Sequence, residues 1–118
     1  QTCEKIFAQQ PYPDGVFASN DTTAITIMEY CRKINVRVPE DLKIVGYSND
    51  PRTEIVTPPV TSVDQYPAMM GERVVAALME LINSARSNVP RYSQEIIPIQ
   101  LIARGSTEGT VKTARKKK

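Results

Sequence analysis

The sequence predicts an α/β domain built on a parallel sheet, and a small set of observations predicts it. Helical and short apolar segments alternate along the chain, the order that right-handed crossovers impose on parallel strands. The runs "GVFAS" (15–19) and "LKIVGY" (42–47) are apolar and too short for helices, and the second is rich in branched residues, as buried strands are. Short polar side chains follow each run at once, "SND" at 19–21 and "YSND" at 47–50. In such sheets ligands sit beyond the carboxyl ends of the strands, so both clusters occupy cleft positions.

The elements follow in chain order. Residues 2–9 carry Ile6, Phe7 and Ala8 among polar groups and read as a helix that stops before "PYPDG", whose prolines and Asp14-Gly15 pair mark a turn. From Thr22 to Ile34, the residues Ala24, Ile27, Met28 and Cys31 recur with the spacing of one helical face. Asp21 is the expected N-cap of this helix, its carboxylate accepting backbone N–H groups at the positive end of the dipole. "NVRVPED" connects to the second strand, and Tyr47 at its end is expected in the core or on a cleft wall. "SNDPRTEIVTPPV" is too polar and proline-rich for regular structure over most of its length, and "TSVDQ" (61–65) is a brief extended piece. Over 67–83, Pro67 suits a first helical turn, Met70, Val74, Ala77 and Leu81 form a stripe, and Leu78 and Ile82 widen it. The pair Met69 and Met70 is expected to pack. After the polar loop "NSARSNVPRYS", residues 95–102 read as a strand that Pro98 makes an edge or a bulge. Disorder is expected after "RGSTEG".

At 118 residues and 41% hydrophobic, the chain is long enough for one domain with a core and too short for two. The net charge is +2, yet the terminal "KTARKKK" carries five positive charges, which leaves the body at −3. The basic character is a property of the tail, expected to be a solvated end although such runs also touch nucleic acid through phosphates. Cys3 and Cys31 form no CxxC and the chain has no histidine, which removes zinc fingers, His-based triads and most catalytic metal sites. No catalytic residue, metal ligand or cofactor is therefore assigned, and Cys31 is expected as a reduced core residue. No run of transmembrane length and no signal peptide is present. The chain begins with Gln and reads as a helix already in progress, so a piece of a longer protein is expected.

The segments "PDGVFASNDTTAITIMEYCRKINVRVPEDLKIVGYSNDP", "TPPVTSVDQ", "MGERVVAALMELI" and "RGST" resemble, in order and spacing, the C-terminal part of the effector-binding domain of the lactose/galactose-repressor family of bacterial transcription regulators. The resemblance runs over about residues 13–107, and its motifs are specific jointly, not singly. It implies an α/β, periplasmic-binding-protein-like (type I) parallel-sheet sandwich, of which only the C-terminal portion is present. Residues 1–107 would belong to the effector-binding domain, about 13–62 to its C-terminal lobe, about 63–103 to a crossover plus elements of the N-terminal lobe, and 108–118 to a basic, disordered tail. Without most of the N-terminal lobe, the segment is not expected to be a complete folding unit.

The resemblance also implies site residues. Asn20 matches an asparagine that hydrogen-bonds the effector, typically a sugar or nucleobase, and its amide donates and accepts at once; a turn or secondary cap is the alternative. Asp21 is assigned first to capping and second to the ligand. Ser48 stands where many members carry an effector-gripping aspartate, a departure that leaves the effector class open. Asn49 and Asp50 either compensate or cap a turn before Pro51. Gln65 corresponds to a crossover position lining the cleft, with a hinge hydrogen bond as the alternative. Ile25, Met28, Glu29, Arg52 and Ile55 correspond to a homodimer interface. A small-molecule effector, a cytoplasmic parent, and DNA contact through a helix-turn-helix outside these residues complete the expectation. A periplasmic sugar-binding protein of a transporter is the alternative on the same fold, and a small α/β enzyme using Asp21 or Asp50 as its acid is the alternative from another class. General acid-base work needs a tuned partner within reach, and none is visible.

Overall fold

Short apolar runs bounded by polar side chains form the sheet. In the computed structural model, which describes residues 2–8, 11–84 and 94–108, β1 (Gly15–Phe17), β2 (Lys43–Tyr47) and β3 (Thr61–Asp64) run parallel, and β4 (Gln100–Ile102) completes the order β1-β2-β3-β4. The helices are α1 (Thr2–Ala8), α2 (Asp21–Lys33), α3 (Arg52–Ile55) and α4 (Pro67–Ser84). The predicted α/β class with a parallel sheet is what forms. Phe17 lies opposite Val45, Val45 opposite Thr61 and Tyr47 opposite Val63, so the carboxyl ends of the parallel strands are staggered by only a residue or two. The ladder continues past them, with the Ala18 N–H donating to the Val45 carbonyl at 2.8 Å and the Ser48 N–H to the Val63 carbonyl at 2.9 Å.

The chain divides into two compact units, Gln1–Asp64 with Leu101–Lys118, and Gln65–Gln100. In the first, the predicted face of α2 supplies Ala24, Ile27, Met28 and Cys31 to a core shared with Leu42, Ile44 and Val60. Burying each of the larger apolar side chains contributes about 1.5–3 kcal/mol. The α1 residue Phe7 stacks on Tyr30 and meets Tyr12, both at 5.5 Å between ring centroids. Cys31 is fully buried and free; burial first, and Cys3 second, push its thiol up to about 11, so it stays protonated at neutral pH. Tyr47 is half-buried and meets Phe17 edge-on at 6.3 Å.

Several expectations need correction. The N-cap of α2 is Asn20, not Asp21: Asn20 has extended backbone (φ −156°, ψ 162°) and its Oδ1 accepts the Thr23 N–H at 2.8 Å. The stretch 48–60, expected to be irregular over most of its length, is so apart from the short α3, which an Asp-Pro pair initiates. The Asp50 carbonyl accepts the Thr53 N–H at 2.8 Å, its carboxylate accepts the Arg52 N–H at 2.9 Å, and Pro51 fits the first turn because it has no N–H to satisfy. The strand expected over 95–102 shortens to β4, since 94–99, which include Pro98, take no regular form. In the second unit α4 buries none of its side chains. Met69 and Met70, expected to pack, are 43% and 42% exposed, because none of the described residues of 65–100 covers the stripe. There the Tyr66 hydroxyl pairs with the Gln100 amide oxygen, and Arg73 lies 3.3 Å from Glu95. The tail expected to be disordered falls, apart from Glu108, outside the described residues, as does most of the polar loop before residue 94.

Gly46 shows how tightly α2 sits on β2. A Cβ there would stand 2.0 Å from the Asp21 carboxylate oxygen and 3.3 Å from the Ala24 methyl. Gly46→Ala is therefore expected to destabilise by about 3 kcal/mol or more through overpacking. Chemical denaturation checks this, and a loss below about 1 kcal/mol would show that α2 can lift from the sheet at little cost.

Candidate functional site

The carboxyl edge of the parallel strands brings most of the predicted polar residues together. Asn20 follows β1, and Ser48, Asn49 and Asp50 follow β2; Asn20 and Ser48 are exposed, Asn49 and Asp50 half-buried. The cap engages one lone pair of the Asn20 Oδ1. Ser48 and Asn49 have φ of 113° and 50°. Side chains other than glycine seldom adopt such angles, at a cost of about 1–3 kcal/mol each, and hold them only where the surroundings enforce them.

Asp21 supplies much of that enforcement. Its side chain is only 2% exposed, and its oxygens accept the Asp50 N–H at 2.7 Å and the Ser62 hydroxyl at 2.7 Å. The Ser62 oxygen in turn accepts the Asn49 N–H at 3.0 Å. Asp21 is thus not the cap; buried, it holds the loop after β2 in place. The Asn49 side chain is engaged too, its Nδ2 donating to Asp64 at 3.0 Å and its Oδ1 accepting from Arg104 at 2.8 Å. Gln65 follows Asp64 directly and opens the second unit, half-buried.

Sequence reasoning missed Ser62, Asp64 and Arg104. Ser62 and Asp64 lie on the same brief extended piece as Gln65, one on each side of Val63, and period-two alternation could have flagged them as a pair facing one way. Arg104 belongs to "RGST", which carried a resemblance but no assigned role. That segment enters the core: Ser106 is fully buried, its hydroxyl accepting the Thr61 N–H at 2.8 Å and donating to the Ile44 carbonyl at 2.6 Å. At Gly105 the chains approach closely, since a Cβ would stand 3.1 Å from Pro58 and 3.2 Å from Pro59.

Four of the residues assigned to an interface, Ile25, Met28, Glu29 and Ile55, line a shallow groove of about 270 Å³ between α2 and the segment of α3, with Arg32 and Val56. Met28 forms its floor, being 5% exposed, whereas Ile55 is 80% exposed. Arg52 does not line the groove. It turns toward the strand edge, pairing with Asp50 at 2.7 Å and reaching the Thr22 hydroxyl at 3.0 Å. Hydrogen bonds from the Arg52 side chain and then its backbone hold the Asp50 carboxyl down at about 2. Because the folded value is depressed, the contribution to stability is present above the ordinary value of about 3.9 and is lost as pH falls through about 2. Arg52→Ala is expected to return the Asp50 midpoint toward about 4, read from its carboxyl carbon resonance against pH. An unmoved midpoint would mean that Arg52 is not what holds it.

Residues 1–107 match the model of the periplasmic binding protein-like domain. Among curated relatives, the HTH-type transcriptional repressor PurR of Pasteurella multocida (strain Pm70) is 38% identical over 79 residues, 67% of this chain and 24% of the relative. Among solved structures, the periplasmic binding ribose operon repressor protein from Lactobacillus acidophilus superposes with a TM-score of 0.80 at 26% identity, covering 92% of this chain and 39% of that one. The transcriptional regulator CelR in complex with cellobiose gives a TM-score of 0.80 at 28% identity, covering 88% and 31%. The chain spans about a quarter of the length of the curated relative quoted. It belongs to the periplasmic-binding-protein-like domain family, in the form carried by transcription regulators of the lactose/galactose-repressor type.

Proposed function

We propose that this chain is the C-terminal part of the effector-sensing domain of a bacterial DNA-binding transcription regulator, which recognises a small, neutral, hydrogen-bonding molecule. The observation that carries this reading is that Asn20 and Ser48 both follow the carboxyl ends of neighbouring parallel strands, beside a loop that Asp21 holds in a left-handed conformation. Its cations are committed: Arg52 to Asp50 and Thr22, Arg104 to Asn49 and Glu54. A sugar or nucleobase suits such an edge better than a phosphate, which draws on free guanidinium groups. One structural relative is a complex with cellobiose and another is a ribose operon repressor, in keeping with a carbohydrate. No enzymatic role is assigned. A helix-turn-helix outside these residues would read DNA in the cytoplasm, and effector and DNA would be linked by about 1–3 kcal/mol, as is typical of such coupling. No described helix is long and apolar enough to cross a membrane.

The test uses the full-length protein. A thermal-shift panel of D-ribose, cellobiose, glucose 6-phosphate, adenine and guanine identifies a binder, and calorimetry then compares wild type with Asn20→Ser. Serine keeps a capping oxygen but loses the amide donor, so the melting temperature should hold while affinity falls about five- to tenfold, the worth of one hydrogen bond. Unchanged affinity would remove Asn20 from the site.

The same reading makes the parent a homodimer that uses the groove face. An apolar side chain as exposed as Ile55, beside Ile25 and the charged Glu29, suits a self-complementary contact. Ile55→Glu is expected to weaken dimerisation at least tenfold in sedimentation equilibrium of the full-length protein, since the added carboxylate loses its water on association. An unaltered dimer would place the interface elsewhere.

A further inference from the structure

Arg104 occupies an unusual position. It lies 55 residues from Asn49 in sequence and 50 from Glu54, yet its Nη2 donates to both side chains, at 2.8 Å and 2.9 Å. Its Nη1 donates to the Thr53 hydroxyl at 3.2 Å and to the Val60 carbonyl at 3.0 Å. The side chain is 12% exposed, and its own backbone N–H is anchored on the Thr61 hydroxyl at 2.8 Å. A surface ion pair is a weak constraint, but a nearly buried guanidinium with all these acceptors is a rigid one.

The partners belong to different parts of the first unit. Asn49 is the second of the left-handed residues after β2, adjoining Ser48 at the strand edge. Thr53 and Glu54 are on α3, next to Ile55 in the groove. Asp50 already bonds to Arg52 and Thr53 at the start of α3, but no hydrogen bond joins Asn49 to Glu54, and one nitrogen of Arg104 links those two side chains. If Asn49 moves, the guanidinium must either follow it and drag on α3 or give up a charge-assisted bond.

We propose that Arg104 is a positioning residue that couples the loop 48–50 to α3, so that a change at the strand edge is felt at the groove and the reverse. Lysine cannot replace it, because an ammonium is a compact point donor that does not span the same acceptors. The functional meaning of the coupling rests on the effector and dimer reading above, whereas the linkage itself is a property of the chain without ligand.

The experiment keeps these apart by using the full-length protein with no ligand added. Glu54→Gln is a mild change on a carboxylate that is 66% exposed. It should shift the Asn49 side-chain amide resonance by more than its linewidth in the wild-type background, and the shift should vanish when Arg104→Lys is also present. Hydrogen exchange in Arg104→Lys should quicken about tenfold at Ser48, Asn49, Glu54 and Ile55 together, while Ile44 and Val45 in β2 hold their rates. A Glu54→Gln shift that persists with lysine, no shift in wild type, or a uniform acceleration that includes β2 would each overturn the proposal. Should Arg104→Lys fail to fold, the guanidinium resonances of Arg104 decide: they must move in both Asn49→Ser and Glu54→Gln, and a response to only one refutes the link. If no compound in the panel binds, the effector reading falls while this measurement still stands.

Discussion

Asp21 places a carboxylate where water barely reaches, and a group of that kind survives burial only if donors replace its hydration. The donors come from distant places: the Asp50 backbone, 29 residues along, and the Ser62 hydroxyl, 41 residues along. The first residue of α2 is thereby tied to the loop after β2 and to β3 itself. Gly46 has to be bare for the carboxylate to lie in that place. The left-handed backbone at Ser48 and Asn49 follows as well, since the Asn49 N–H goes to the same Ser62 oxygen that serves Asp21. Break this set and the loop loses the reason for its shape.

That dependence explains what could be read from the sequence. The buried face of α2 was legible because 3.6-residue periodicity is a local signal, and Ala24, Ile27, Met28 and Cys31 carry it alone. The strands β1, β2 and β3 were legible because short apolar runs ended on polar clusters. The division of labour between Asn20 and Asp21 was not, since both are good capping residues. What separates them is Ser62, far along the chain, which claims Asp21 and leaves the cap to Asn20. The helix α3 was hidden by its prolines: Asp50 followed by Pro51 is a starting signal, but the prolines at 58 and 59 weighted the whole stretch toward irregularity.

The segment 104–107 posed the opposite difficulty. Its residue types, one arginine, a glycine, a serine and a threonine, read locally as a turn on the way out of the domain. In space it is a closing clasp. Ser106 bonds β2 and the start of β3, the Ile44 N–H donates to the Ser106 carbonyl at 3.1 Å, and the Thr107 hydroxyl meets that of Thr61 at 2.6 Å. The small polar side chains are there because the clasp is buried, and only side chains of that size can satisfy backbone groups between strands without opening a cavity.

On the proposed reading, the charge balance at the strand edge constrains recognition. Ser48 removes the carboxylate that the family resemblance leads one to expect, yet the edge is not made basic, because each nearby guanidinium already has an anion: Arg52 has Asp50 and Arg104 has Glu54. Asp64 is likewise in a hydrogen bond with Asn49. The exposed surface is left with amide and hydroxyl chemistry over internally neutralised charges. Such a surface gains selectivity from the directions of its hydrogen bonds and not from a net field, and direction is worth something only if the donors are held still. The buried Asp21 beneath the loop and Arg104 beside it are what hold them, so on the proposed reading the same bonds that make the fold cohere would also set how finely this edge discriminates.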